Sequence, residues 1–192
     1  IPLGIVHTDH CILTLCPMEN PVLREIKNGR LRHVSTAKKN RFTLQIFLRA
    51  AQRFLVDLRH INRQVDLVED RLETSTRNKE LLDLLKLEKS LVYFNTSLRS
   101  NEILLYRFKS QRKIKNILEE ELLEDVEIEL KQAIDTSHIF SDILSGMMDA
   151  YASVISNNLN VIMKRLTSIS IILMIPTLIA SIYGMNVTNH LE

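Results

Sequence analysis

The sequence predicts a mainly α-helical protein in four parts: a remnant of an N-terminal α/β domain at 1–40, an antiparallel helical hairpin at 41–110, a long stalk helix at 111–165 and a transmembrane helix at 166–187. Three observations support this fold class. An uncharged apolar run lies near the C-terminal end, two long segments carry heptad-spaced apolar residues, and there are only four glycines and four prolines. Scarce helix breakers beside abundant Leu, Ile, Glu, Lys and Arg are typical of long helices.

The transmembrane prediction rests on the run 166–188, which contains no charged residue. About 20 apolar residues span a bilayer as a helix, and a buried helix of a soluble protein rarely runs this long without a charge. Lys164 and Arg165 stand directly before the run. Because such a pair tends to stay on the cytoplasmic side of a first span, we expect a protein of the cell membrane whose N-terminal part is cytoplasmic.

One face of this helix is polar. Residues with hydroxyl, amide or thioether groups recur along it at steps of three and four: Asn160, Met163, Thr167, Ser170, Met174, Thr177 and Ser181. A polar stripe is costly against lipid, so it should face other helices or water. Small hydroxyl residues often serve helix packing alone, whereas several copies of the helix around one axis would make the stripe a pore lining. The periodicity does not separate these two interpretations.

The end of the span carries further signals. Pro176 lies inside it, which membrane helices tolerate better than soluble ones. Gly184 can take a positive φ and end the helix as the residue after its last turn. Tyr183 stands where aromatic side chains favour the membrane–water interface. Tyr183 and Gly184 are the first two residues of the tetrapeptide YGMN at 183–186.

With YGMN on a polar-striped span, the chain resembles the CorA family of magnesium transport proteins. The segments SGMMDAY at 145–151, SNNLNVIMKRLTSI at 156–169 and LEKSLVYFNTSLRSNE at 87–102 are also similar to that family, and the resemblance runs from about residue 31 to 187. It implies a homopentamer with five stalks around one axis, a larger N-terminal α/β domain and a second membrane helix after the signature. Related zinc transporters differ at the middle residue of the tripeptide GMN, which is residues 184–186 here. Met185 at this middle position therefore favours magnesium.

Before the hairpin, residues 1–17 have the pattern of strands. The segments LGIV at 3–6 and CILTL at 11–15 are β-branched and apolar, and polar turn residues join them. His7 and His10 flank this turn, but without a third ligand in view a solvated turn is the simpler interpretation. A short helix at 22–28, ended by Gly29, is expected to follow.

The hairpin prediction comes from two helical segments, 41–73 and 78–109, separated by a short polar link. In the first, apolar residues alternate steps of four and three, which is a heptad seam: Phe47, Ala51, Phe54, Leu58, Ile61, Val65, Val68 and Leu72. The second carries the matching face: Leu84, Leu87, Leu91, Phe94, Leu98, Leu105 and Phe108. The short link makes the two helices antiparallel neighbours.

The stalk helix is expected to start near Asn116 and need not stop before Tyr183. Such a helix would be about 100 Å long at 1.5 Å per residue. A lone helix of this length is not stable by propensity alone, so it requires neighbours from the hairpin and from other copies.

An acidic cluster opens the stalk: Glu119, Glu120, Glu121, Glu124, Asp125, Glu127 and Glu129. For most members, a solvated face favoured by the helix N-terminus is a sufficient explanation. Asp125 differs, because LEDV at 123–126 is similar to the family segment whose aspartate binds a divalent metal between neighbouring subunits. Asp149 lies eleven residues before Asn160, which is three helical turns, so both can face one axis.

Mg²⁺ gives up its water reluctantly, so a selective site can hold the hydrated ion through hydrogen bonds to its waters. Five copies of the Asn186 amide would offer acceptors without trapping the ion, and Gly184 and Met185 complete the expected selectivity filter. The expected pore lining is Asn160, Met163, Leu166, Ser170, Met174, Thr177 and Ser181. Rings of its apolar members can gate by dewetting. The expected metal-binding residues are Asn186, Asp125 and Asp149, with Mg²⁺ both transported and regulatory.

Several function classes are excluded or kept as alternatives. No phosphate loop, nucleophile–base spacing or Cys/His metal quartet is present, so we do not expect an enzyme. The net charge of +2 does not suggest a nucleic-acid partner. Two alternatives to magnesium transport stay open: a zinc transporter of the same superfamily and a membrane-anchored coiled-coil scaffold. Magnesium cannot be separated from cobalt or nickel, because their hydrated ions are alike.

Overall fold

The structure is a computed structural model, and it describes residues 2–29, 35–74, 78–111 and 117–184. The elements are β1 (Gly4–His7), β2 (Ile12–Leu15), α1 (Pro21–Lys27), α2 (Lys39–Thr74), α3 (Asn78–Gln111) and α4 (Ile117–Gly184). They fall into two compact units, 1–145 and 146–192. The predicted fold class is confirmed, because long helices dominate and the described strands form one small sheet.

The first unit begins with an antiparallel pair of strands, as the sequence predicts. Ile5 of β1 and Ile12 of β2 are half-buried and pack on a small cluster with Val22 and Phe42, whereas Val6 is exposed on the other face. This is the alternation expected of a sheet with one covered face. The pair of strands therefore packs against α1 and the first turns of α2.

Local chemistry sets the ends of α1. The Oδ1 atom of Asn20 accepts a hydrogen bond from the backbone N–H of Val22 at 2.9 Å, and Pro21 occupies the first turn, where its missing N–H costs nothing. Gly29 has φ of 65°, a left-handed conformation that glycine adopts without strain, so it ends the helix as expected.

The hairpin of α2 and α3 buries the two predicted seams. Leu58 of α2 and Leu84, Leu91 and Leu98 of α3 are fully buried. Phe54 and Phe94 meet edge to face, with ring centroids 5.3 Å apart. The seam predictions are confirmed, because period and burial agree along both helices.

The first part of α4 completes a three-helix core with this hairpin. Leu123, Val126, Leu130 and Ala133 of α4 are buried in one cluster with residues of α2 and α3. Two side-chain contacts show that α3 and this part of α4 are antiparallel. Lys109 near the end of α3 meets Glu127 at 2.7 Å, and Asn95 further back donates to the hydroxyl of Ser141 at 3.1 Å.

One detail differs from the expectations. Gly184 is the last described residue of α4 and has no positive φ, so it is not the left-handed residue that was expected after the last turn. The domain boundaries after residues 40, 110 and 165 stay predictions, and α4 continues through residue 165 without a break.

Candidate functional site

The second unit consists, within its described residues, of the helix from Gly146 to Gly184, and one face of it follows a strict seven-residue repeat. The residues of this repeat follow one another at alternating steps of three and four. All of them are exposed, and none is Lys or Arg. These residues are Gly146, Asp149, Ser153, Ser156, Asn160, Met163, Thr167, Ser170, Met174, Thr177, Ser181 and Gly184. We call them the heptad face. Leu166 is also exposed and lies next to Thr167, at the margin of this face.

Four hydroxyl groups on this face donate their protons to backbone carbonyl groups of the same helix. Thr167 donates to the carbonyl oxygen of Met163 at 2.8 Å, Ser170 to that of Leu166 at 2.9 Å, and Thr177 to that of Leu173 at 2.8 Å. Ser153 likewise donates to the carbonyl oxygen of Asp149 at 3.0 Å. A hydroxyl has one proton and two lone pairs, so each of these oxygens can only accept hydrogen bonds from whatever faces it.

Near the end of the helix, three predicted pore-lining residues line one shallow groove. Met174, Thr177 and Ser181 share it with Leu173 and Leu178, and its volume is about 450 Å³. Pro176 lies within the same stretch of helix and removes one backbone donor. The structure therefore brings a thioether and two hydroxyl groups together on one side of the span. Met185 and Asn186 lie outside the described residues.

The acidic start of α4 belongs to the first unit, and its members differ in their contacts. Glu127 pairs with Lys109, and this hydrogen bond to a carboxylate raises the pKa of the lysine above its ordinary value. Glu129 accepts from the amide of Gln52 of α2 at 3.5 Å. Asp125 is exposed, and within the described ranges it has no ion pair.

The described residues contain no group of three or more His, Cys, Asp or Glu side chains that could hold a metal ion. Asp125 and Asp149, the carboxylates singled out from the sequence, lie in different units and are exposed. Sequence reasoning missed Ser153 and Ser156. The signal was available, because both continue the three-and-four spacing between Asp149 and Asn160.

Among the residues that the structure describes, α4 is long and apolar enough to cross a membrane, with a mean hydropathy of 2.0 in its most apolar stretch and no part of that stretch buried. An apolar surface of this extent is stable where lipid or other helices cover it. The fold and the site thus define a class: helical membrane proteins whose spanning helix carries a polar, acceptor-rich face.

The family described as "CorA-like Mg2+ transporter protein" matches residues 1–190, and the chain belongs to this family. The cobalt/magnesium transport protein CorA of Methanocaldococcus jannaschii is 29% identical over 197 residues, covering 96% of this chain and 60% of that protein. The cobalt/magnesium transport protein CorA of Thermotoga maritima is 30% identical over 199 residues, covering 96% and 54%. The chain thus spans less than two thirds of the length of these relatives.

Solved structures agree with the family assignment. The complete structure of the CorA magnesium transporter from Methanocaldococcus jannaschii matches with a TM-score of 0.83 and 27% identity, over 97% of this chain and 60% of that one. The soluble domain of the same transporter matches with a TM-score of 0.67 and 24% identity, over 77% and 61%. The second likeness supports the fold alone. The resemblance inferred from the sequence is confirmed.

Proposed function

We propose that the chain carries the first membrane helix and part of the cytoplasmic region of a homopentameric transporter that conducts Mg²⁺, and also Co²⁺ or Ni²⁺, across the cell membrane. The single observation that carries this proposal is the heptad face, which is free of Lys and Arg and carries three hydroxyl groups whose protons are held by backbone carbonyl groups, so that their oxygens face outward as acceptors. The names of the related proteins support the choice of ion.

Self-association follows from the spacing of this face. A strict seven-residue repeat stays on one side of a helix only if several helices supercoil around each other with a left-handed twist. Every member of the heptad face is exposed in the single chain, so other copies of the helix are available partners for it. Five copies, as the family implies, would place the face around a central path.

The chemistry of the face suits a hydrated cation. The water shell of Mg²⁺ presents only hydrogen-bond donors to its surroundings, and the ion keeps this shell tightly. Thr167, Ser170 and Thr177 present only acceptors, because their protons are held by backbone carbonyl groups. An anion would meet no donor from these three hydroxyl groups. The transported ion therefore moves as a hydrated cation.

Selectivity and gating are assigned to separate parts of this path. Asn186, with Gly184 and Met185, forms the filter at the outer mouth, where amide oxygens hold the ion without a charge that would trap it. Met163, Leu166 and Met174 contribute apolar rings that close the path by dewetting. Asn160, Ser170, Thr177 and Ser181 supply acceptors between them, and Asp149 attracts cations at the inner end.

Cytoplasmic Mg²⁺ acts as a regulator at Asp125. Carboxylate oxygens are the hard ligands that Mg²⁺ prefers, and the ion commonly binds proteins through one or two carboxylates while keeping several waters. Asp125 is exposed and, within the described part of the chain, without an ion pair, so the donor chemistry fits this ion. The remaining ligands come from a neighbouring subunit and from water. Lys164 and Arg165 keep this region on the cytoplasmic side.

The test is Mg²⁺ uptake by the full-length protein with Asn186→Ala. We expect selective uptake to fall to background while membrane insertion is unchanged, because the amide contacts the ion's waters and not the lipid. Asn158→Ala is the matched control, since Asn158 is exposed on α4 but lies off the heptad face. Normal uptake by a well-expressed Asn186→Ala protein would contradict the proposal, as would equal loss in both variants.

A further inference from the structure

Two exposed helix faces of the first unit carry opposite charge at the same spacing. The face on α2 contains no acidic residue and consists of Arg53, Val56, His60, Arg63 and Leu67. The face on α4 contains no basic residue and consists of Ile128, Gln132, Asp135, Ile139 and Asp142. We call them the basic face and the acidic face. In both, the residues follow one another at alternating steps of three and four, and all of them are exposed.

Neither face is satisfied within the chain. Arg53 pairs with Asp57 at 3.2 Å, but across the described ranges Arg63, Asp135 and Asp142 have no ion pair. Each face also exposes large apolar side chains between its charges, with Val56 and Leu67 on α2 and Ile128 and Ile139 on α4 at 42–57% exposure. Apolar residues at heptad spacing with charges beside them are typical of a helix face that packs on another helix.

The heights of the two faces along the helices can be compared. Because α3 is antiparallel both to α2 and to the first part of α4, α2 and this part of α4 are parallel. The contact between Gln52 and Glu129 at 3.5 Å sets their relative height, so a residue of α2 lies about level with the residue of α4 that is 77 positions later. Arg63 is therefore level with residue 140, which is about 3 Å along the helix from Asp142.

We propose that the basic face of α2 docks on the acidic face of α4 in a second copy of this chain. In a ring whose rotation axis is parallel to the helices, neighbouring copies stand at the same height, so residues that are level in one chain are also level between chains. Arg63 then lies opposite Asp142, and His60 lies opposite Asp135. The contact joins two different patches, which closes a ring when the rotation is right. This inference rests on the proposed self-association.

Charge decides between this occupant and a second acidic face. If the acidic faces of two copies met each other, Asp135 and Asp142 of one copy would approach the same residues of the other, and like charges across an interface are unfavourable. The basic face offers the opposite charge at the same spacing and in the same direction of the helix. The α2–α4 contact therefore satisfies both faces, whereas contact between two acidic faces leaves the charges of both uncompensated.

The experiment is a charge-reversal cycle in the full-length, detergent-solubilised protein, and it measures the protein concentration at which half of the chains are assembled. Arg63→Glu and Asp142→Arg should each raise this concentration by about tenfold or more, because each places like charges opposite one another. The double variant restores the pair in reverse and should return to within about threefold of the wild type. Arg107→Glu is the matched control, since Arg107 is an exposed arginine of α3 without an ion pair in the part of the chain that the structure describes.

Cysteine cross-linking tests the geometry of the contact. Val56 is level with residue 133, next to Gln132, so the double variant Val56→Cys and Gln132→Cys should form disulfides between chains and give a ladder of linked species. The background carries Cys11→Ser and Cys16→Ser, because both native cysteines are free. Either new cysteine alone should give no ladder, since a contact between different patches sets unlike residues opposite each other.

The outcomes separate this inference from the proposed function. If the wild type is oligomeric and neither charge reversal changes its assembly, the basic face serves another partner or none, and the inference is refuted while the proposed oligomer stands. Single effects without rescue in the double variant, or a ladder from Gln132→Cys alone, would also refute it. If the wild type is monomeric at every concentration, the proposed homopentamer falls as well, while the uptake test with Asn186→Ala still decides transport.

Discussion

At the scale of single residues, Leu98 shows what holds the cytoplasmic unit together. Its side chain is fully buried in the cluster that joins α2, α3 and α4. Leu98→Ala should lower the free energy of unfolding by about 2–5 kcal/mol, through lost burial and the cavity left behind. Leu104→Ala, on the exposed side of α3 with 53% of its surface accessible, should cost less than about 0.5 kcal/mol. Denaturant unfolding of the detergent-solubilised protein measures both, and equal losses would contradict the three-helix core.

The same scale shows what could be read from the sequence. Leu98 and its seam partners were predictable, because burial of one helix face follows from spacing alone. The contacts Asn95–Ser141 and Gln52–Glu129 were not predictable, since the first joins residues 46 positions apart and the second joins residues 77 positions apart. Such pairs depend on the register between helices, which the spacing within one helix does not determine. Asn186 and Met185 were singled out by resemblance, and their roles stay predictions.

At the scale of elements, the ion pair between α3 and α4 is pH-dependent. The hydrogen bond from Lys109 to Glu127 raises the pKa of the lysine above 10.5, so the pair's stabilisation is complete below that pH and is lost as the pH rises through the raised pKa. Both side chains are about half exposed, which limits the effect to less than about 0.5 kcal/mol. Lys109→Met should therefore lower the melting temperature slightly at pH 9 and not at strongly alkaline pH.

Two further variants test this pair. Glu127→Gln should give the same small loss at pH 9, because it removes the other partner. Lys131→Met changes an exposed lysine of α4 that has no ion pair in the described ranges, so it should leave the melting temperature unchanged. A loss for Lys109→Met that persists at strongly alkaline pH would show that its alkyl chain, and not its charge, stabilises the protein.

The membrane part of α4 carries a second element-scale prediction. Met174 lies on the heptad face in the groove that also holds Thr177 and Ser181. Met174→Ser should raise the leak of Mg²⁺ several-fold, because a polar ring wets more easily than an apolar constriction. Ile172→Ser is the control, since Ile172 is exposed but lies on the opposite side of the helix. Unchanged conductance of the Met174 variant at both low and high Mg²⁺ would rule out a gate at this position.

Element boundaries were also largely predictable. Proline and glycine delimit α1, which was expected at 22–28 and is observed at Pro21–Lys27. The expected start of the stalk helix near Asn116 lies outside the described residues, which resume with α4 at Ile117. Gly184 was expected to follow the helix in a left-handed conformation and is instead helical. A glycine permits a left-handed conformation but does not require it.

At the scale of the whole molecule, the three-and-four spacing of the heptad face continues in the sequence of α4 before Gly146. Counting back from Gly146 in the same steps reaches Asp142, Ile139, Asp135, Gln132, Ile128 and Asp125, all of them exposed. The chain spans less than two thirds of the length of these relatives. A seven-residue repeat favours packing between helices, which α2 and α3 achieve within the chain and which the exposed face of α4 would achieve with other copies in the proposed assembly. In that assembly, we expect regulation to act on the arrangement of the subunits.

Asp125 gives the sharpest test of that regulation. In the proposed assembly, carboxylates of neighbouring subunits would repel one another, and bound Mg²⁺ would favour a closed, symmetric arrangement only by binding it better than the open one. Asp125→Asn removes both repulsion and metal affinity, so Mg²⁺-dependent protease protection should weaken and its midpoint should rise. Asp125→Lys can pair with the remaining carboxylates and so imitate the cation, which should give protection even without Mg²⁺. The two variants thus differ in the sign of their effect. If Asp125→Asn keeps the wild-type midpoint, Asp125 is not part of the sensor, and the acidic start of α4 is a solvated helix end.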